Sequence, residues 1–354
     1  MRLSRFGILL LISVIVLIGS NCSYYNQVMA RKNLVDGAKA YKDRKFPEAE
    51  RLFRYAASLD PNGTSVEGRT AQLSLARTLH SMYIGDRGKK NIAEDALNEY
   101  KKSLPQSLKD LKEITSAYGS NKASEDAQKN YLSALSSVNS TTSAISSLHD
   151  NLGQPEKAKE WQTQVANDAE YPATARARAL SSLSAKMNSC ANDITDTEAT
   201  KKTVKKDGKD VFQFTKPAKP EDFTQLQQCI ADGKKLIDQA VALEPEEVMN
   251  AATLNVAALS DPQLALNSEI FKVFESTRSY KASLLVQEMR VAEMDGREPD
   301  KDRLKLDADG AKTKFTELSD IVKKIQLEID KRIAAKEAAA KPGAAKPADA
   351  NSNK

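Results

Sequence analysis

Two hydrophobic patterns divide the chain. From Phe6 to Gly19 the residues are apolar almost without interruption, and after Asn21-Cys22 no comparable run recurs. Beyond it, apolar residues return every three or four positions in stretches separated by polar turns, the period of amphipathic helices. Leu34–Pro61 predicts two short helices joined by a tight turn, reached through a spacer at Asn26–Lys32. A second pair is expected over Gly68–Tyr83 and Ile92–Leu104, with Ile84–Asn91 looped out between them. Gln106–Tyr118 reads as a short helix of its own, with Leu108, Leu111 and Ile114 on one side. Ala123–Leu148 predicts a longer helix and Asn151–Ala158 the turn into its partner. Ala173–Ile194 and Phe223–Leu243 form a further pair, followed by a short helix over Glu246–Leu259 that Ser260-Asp-Pro262 stops.

Past Pro262 the spacing changes to alternating steps of four and three. Leu266, Ile270, Val273, Thr277, Leu284 and Val291 mark one such series, and Leu304, Ala308, Phe315, Leu318, Val322 and Ile325 another. This is the seam of a coiled coil. The break at Asp295–Lys301 is short, so the helices Gln263–Met294 and Asp300–Lys336, each about 50 Å long by the helical rise, are expected to run antiparallel with their seams facing. Docking of the stripes on the last helix pair is a second reading, and a homodimer through the hairpin a third. Thr277, Gln287 and the alanines weaken the seam as an independent zipper. Residues 337–354 are Ala, Lys and Pro with no apolar face, and such a segment is expected to be disordered.

In Leu34–Pro61, Gly37, Phe46, Ala49, Phe53, Ala56 and Pro61 stand at the intervals of one known motif. With Ala49 as its twentieth residue, this stretch resembles the tetratricopeptide repeat, a helix-turn-helix unit with small residues at positions eight, twenty and twenty-seven, aromatics at seventeen and twenty-four, and Pro at thirty-two. Asn33 and Asp36 stand where the usual Trp and Leu would be. Fragments of the pattern recur: Ala76, Ala96, Tyr100 and Ser103 in the second pair, and Gly233, Ala240 and Pro245 in the last. The resemblance implies an all-α fold, an irregular right-handed solenoid over residues 26–262 followed by the hairpin 263–336 and the tail. It also implies a concave binding groove lined by the first helix of each pair. Carried over by register, its positions are Leu34, Ala38 and Tyr41, then Leu73, Arg77 and His80. The basic-and-Asn clamp that some relatives use is not at those places, so an apolar groove for a helical or extended protein segment is expected.

Arg2 and Arg5 ahead of the apolar core make residues 1–25 a secretory signal or a membrane anchor. Cys22 directly after the core resembles the acylated cysteine of bacterial lipoproteins, with Asn21 and Gly19 departing from the usual neighbours. An uncleaved anchor from Phe6 to Tyr25, roughly 30 Å of helix closed by Tyr24-Tyr25, is the other reading. Either places the body outside the cytoplasm, in the cell envelope.

Charge changes this picture only locally. Net charge is +5, the remainder of 53 basic and 48 acidic residues, which gives no general case for nucleic acid. Residues 196–222 are an exception. Lys201, Lys202, Lys205, Lys206, Lys209, Lys216 and Lys219 face only Asp207 and Asp210 between the ends of this excursion, whose Val211–Phe214 core suggests a strand. It reads as a solvated insertion or as a basic finger for an anionic lipid or polymer. Cys190 and Cys229 flank it on helices expected to be antiparallel, so a disulfide pinning it and two separate buried thiols are both compatible with the pattern.

No phosphate loop, paired-histidine metal helix or nucleophile elbow is present, and the chain has two histidines. No catalytic, cofactor or metal site is therefore expected, nor an enzyme. The functional expectation is a membrane-tethered scaffold that binds partner proteins, with a structural spacer or oligomeriser acting through the hairpin as the alternative.

Overall fold

Helix forms wherever the three-and-four spacing holds, and it runs further than the breaks in that spacing suggest. The computed structural model describes residues 5–340, with side chains described from residue 24 to 339 except at Lys206. The fold is all-α with one small two-stranded sheet, and its many packed helices are compatible with a helical-repeat architecture. Two compact units result. Met1–Ile114 with Ser137–Trp161 form unit 1, and Thr115–Ser136 with Gln162–Lys354 form unit 2.

In unit 1, α1 (Arg5–Lys42) and α2 (Phe46–Ser58) make the first pair. The spacer expected at Asn26–Lys32 is helical instead, because Ala30 is buried against Ala56, Ala57 and Ala71 and recruits that turn to the core. Arg44 ends α1 in a left-handed conformation (φ 59°), and Pro47 sets the start of α2 with its fixed φ. Gly37 is buried, and a Cβ there would lie 2.7 Å from Phe53 Cε1. Its missing side chain lets the Phe53 ring rest on the α1 backbone. Ala49 and Ala56 are fully buried, Phe46 is half-buried and Pro61 is exposed in the turn after α2.

The second pair is α3 (Val66–Gly85) and α4 (Lys90–Ser120). The expected eight-residue loop shrinks to the turn 86–89, and the separate helix expected at Gln106–Tyr118 is the second half of α4. Proline at 105 lacks the N–H that a helix interior needs. The helix nonetheless continues, because Tyr100, Leu104 and Leu111 stay buried on one stripe, and the Ser103 and Ser107 hydroxyls donate to the carbonyls of Tyr100 and Ser103. The first turns of α3 are held by Ser65, whose hydroxyl accepts from Gly68 N–H, and by an Arg69–Asp110 ion pair of 2.7 Å. α5 (Glu125–Asn151) and α6 (Pro155–Asn167) follow, joined at Gly153 (φ 72°). Trp161 is half-buried and its indole N–H donates to the Thr142 carbonyl at 2.9 Å.

Unit 2 is built on α7 (Ala173–Thr195) and α8 (Pro220–Val241), which flank a hairpin of β1 (Lys201–Lys206) and β2 (Lys209–Phe214). Cys190 and Cys229 are joined as a disulfide between the two helices. The short helix expected over Glu246–Leu259 is reduced to α9 (Glu246–Met249) and two single 3₁₀ turns. Ser260 then caps α10 (Asp261–Met294) in a capping box with Gln263, and α11 (Glu298–Ala340) returns alongside it. The pairs Lys301–Glu293, Lys314–Arg278, Gln326–Lys272 and Arg332–Asp261 step in opposite directions along the two helices, so they are antiparallel.

From Thr277 onward the α10 seam read from the sequence follows the docking alternative and faces α7 and α8 rather than α11. Thr277 bonds Ser181, Gln287 bonds Thr195, and Val291 and Met294 join the cluster of Ala191, Leu226, Cys229 and Ile230, so this stripe docks on α7 and α8. Leu284 lies where a Gly233 Cβ would be, 2.8 Å away, so that glycine admits α10. A second stripe, with Leu285 and Ala292, meets Leu304 and Ala308 of α11. α10 is thus apolar on two sides, and single-seam reasoning found one of them. Residues 1–4 and the tail from 341, and the side chains of the apolar leader including Cys22, lie outside the described residues. Among the described residues no helix is long and apolar enough to cross a membrane.

Candidate partner-binding groove

The groove positions carried by register all belong to unit 1. Packing divides them. Leu34 is half-buried against the Ala30–Ala56–Ala57–Ala71 cluster and acts mainly as a packing residue. Ala38 is exposed on α1, and Tyr41, 36% exposed, turns its ring edge to Phe46 at 5.4 Å between centroids. On α3, Leu73 and His80 are half-buried and Arg77 is exposed.

Hydrogen bonds tie the first helices together. Tyr41 Oη and Ser81 Oγ are 2.9 Å apart, linking α1 to α3. Arg77 Nη2 donates to Ser140 Oγ at 3.1 Å, linking α3 to α5. Ser81 Oγ also donates to the Arg77 carbonyl at 2.9 Å, so the Tyr41 and Arg77 contacts share a helical turn. Behind them His80 stands edge-on to Tyr100 at 6.0 Å. Burial pushes the Tyr100 phenol up to about 12, against the pull of the Arg77 charge, so it remains neutral. Three helices therefore present hydroxyls, one guanidinium and the small apolar surfaces of Ala38 and Leu73. Such a surface can hydrogen-bond the carbonyls of an extended segment while covering small side chains.

Sequence reasoning missed Ser81 and Ser140 as parts of this surface and Tyr100 as the buried ring behind it. One signal was available: Ser140 and Ser147 are seven residues apart on α5 and both exposed, a polar stripe on a first helix. Among the described residues no group of three or more His, Cys, Asp and Glu side chains could hold a metal ion. No protein-family model matches the chain, and no characterised protein matches it in sequence. The likeness to the tetratricopeptide repeat rests on the residues and packing given above.

Burial of His80 has a measurable consequence. Desolvation holds its imidazole below the ordinary value of 6.5. Below that pH the unfolded chain takes up a proton that the folded chain refuses. The stability contributed by neutral His80 is thus full above about pH 6.5 and is lost as pH falls from there through the lower folded value. Urea midpoints at about pH 7.5 and 5.5 are expected to differ more in the wild type than in His80→Phe.

Proposed function

We propose that this protein is a membrane-tethered, tetratricopeptide-like scaffold that binds a partner protein rather than catalysing a reaction. Its body stands on the extracytoplasmic side of a bacterial cell envelope, held there by the apolar leader. The observation that carries this reading is the surface assembled from α1, α3 and α5, where Ala38, Tyr41, Arg77 and Ser140 are held in place before any partner arrives. Pre-organised groups lose less entropy on binding. The Cys190–Cys229 disulfide fits an oxidising compartment.

Function as a spacer or oligomeriser through the hairpin would need an apolar stripe left free on α10 or α11. α10 commits one stripe to α7 and α8 and the other to α11, so such a contact would fall to α11, where Leu306, Leu327 and Ile333 are exposed.

The test is capture from envelope extract by the full chain. A partner retained by the wild type is expected to be lost from Ala38→Arg and from Arg77→Glu, with far-UV circular dichroism unchanged. A partner that survives both substitutions would place binding elsewhere. The mass of the mature N-terminus beside that of Cys22→Ser distinguishes an acylated cysteine from an uncleaved anchor.

A further inference from the structure

The β1–β2 ribbon is not an idle insertion in its construction. Asp207 and Gly208 both have positive φ (53° and 77°), the geometry of a two-residue hairpin turn. At its base Thr215 N–H donates to the Thr200 carbonyl at 2.8 Å, and the buried Thr200 hydroxyl donates to the Ile194 and Thr195 carbonyls. Phe214 is buried with Ala191, Leu226 and Cys229, and Arg290 lies over its ring at 4.5 Å. The disulfide joins α7 to α8 directly beneath. An isolated two-stranded hairpin is marginal in water, and these contacts fix this one at its root.

Above the root the two sides differ. Register pairs Lys202 with Gln213, Val204 with Val211, and Lys206 with Lys209 on one side. That side carries three lysine positions, a valine pair and no acid. The other side carries Lys201, Thr203, Lys205, Asp210 and Phe212. There Lys201 is paired with Asp196 and lies 4.3 Å from the Phe212 ring centroid, and register sets Lys205 across from Asp210. Charge is offset on that side, whereas among the described residues Lys202 and Lys209 of the first side face no acid. Val211, 37% exposed, lies on the side of Lys202 and Lys209.

We propose that the ribbon side bearing Lys202 and Lys209 is a contact for an anionic phospholipid surface, with these lysines meeting headgroup phosphates and the Val204–Val211 pair resting in the interface. Interleaved aliphatic and lysine positions suit lipid better than a soluble polyanion, because the valines gain by leaving water only where an apolar layer lies beneath the charges. Each lysine near an anionic leaflet strengthens partitioning roughly fivefold, and salt screens the effect.

The test uses the full chain reconstituted in vesicles, with tryptophan placed at either side and the Trp161 signal of the wild type subtracted. Acrylamide quenching of Val211→Trp is expected to fall about twofold or more when phosphatidylglycerol is added to phosphatidylcholine, and that of Phe212→Trp to stay unchanged. Protection at Val211→Trp is expected to vanish on adding Lys202→Gln and Lys209→Gln, and in high salt. Equal quenching on both lipids, or equal protection on both sides of the ribbon, would overturn the proposal. Protection by poly-glutamate without any lipid effect would also overturn it and assign the side to an acidic polypeptide. None of these substitutions touches α1, α3 or α5, so groove binding is read separately.

Discussion

Removing the Cys190–Cys229 disulfide, by Cys190→Ala with Cys229→Ala, is expected to destabilise the protein by about 4 kcal/mol. The bridge spans 39 residues of sequence, and the chain-entropy estimate for a loop of that length gives this value. The loop contains the whole ribbon, 24 residues from Asp196 to Lys219 by the ends of α7 and α8, and Phe214 of the ribbon packs against those helices. Without the bridge, closing that excursion falls to Phe214, Thr200 and the Arg290 contacts. Urea unfolding of the oxidised wild type and the double-alanine variant, followed by circular dichroism, measures the difference. A change below about 1 kcal/mol would mean that the helices alone close the loop.

The second large effect is expected at Arg278. Its Nε and Nη2 donate to both carboxylate oxygens of Glu244, at 3.0 and 2.9 Å, while Nη1 donates to the Lys314 carbonyl at 3.1 Å. Side-chain exposure is 15% for Arg278 and 9% for Glu244, so this pair is largely withdrawn from water. One residue thereby joins the end of α8 to α10 and α11. Arg278→Leu strands a buried carboxylate, and about 3–5 kcal/mol of destabilisation is expected. Arg278→Leu combined with Glu244→Leu is expected to recover much of it, because the stranded charge is gone. If both variants unfold at the same denaturant concentration as the wild type, the pair is not structural.

Some of this was legible in the sequence, and what was hidden has physical reasons. Gly37 and Phe53 are sixteen residues apart and meet in the fold, because small-against-aromatic spacing in a helix pair is a local pattern. Cys190 and Cys229 could be brought together by the antiparallel run of α7 and α8 alone. The strand at Val211–Phe214 was visible from its apolar alternation, but its lysine-rich partner β1 was not, since exposed strands carry no hydrophobic signature. Pro105 looked like a boundary, and only tertiary burial of Leu104 and Leu111 shows why α4 passes through it. On α10 a four-three series identifies an apolar face but not its neighbour, and from Thr277 onward α8 and α7, the latter nearly a hundred residues away, take the face expected for α11. In the groove Leu34 and Ala38 occupy consecutive register positions, yet one packs inward and the other stays open, a division set by Ala30, Ala57 and Ala71.

If the α1–α3–α5 face of unit 1 holds a partner protein, as proposed, residues on that face touch it in cells. Site-specific photocrosslinking in cells tests it most directly, with a photoreactive residue at Ala38 or Arg77 and, as controls, at the exposed α2 positions Glu48 and Arg54. A discrete protein adduct from Ala38 and Arg77 and none from Glu48 and Arg54 is the predicted result. Adducts from the α2 positions alone, or none from any of the four, would contradict it.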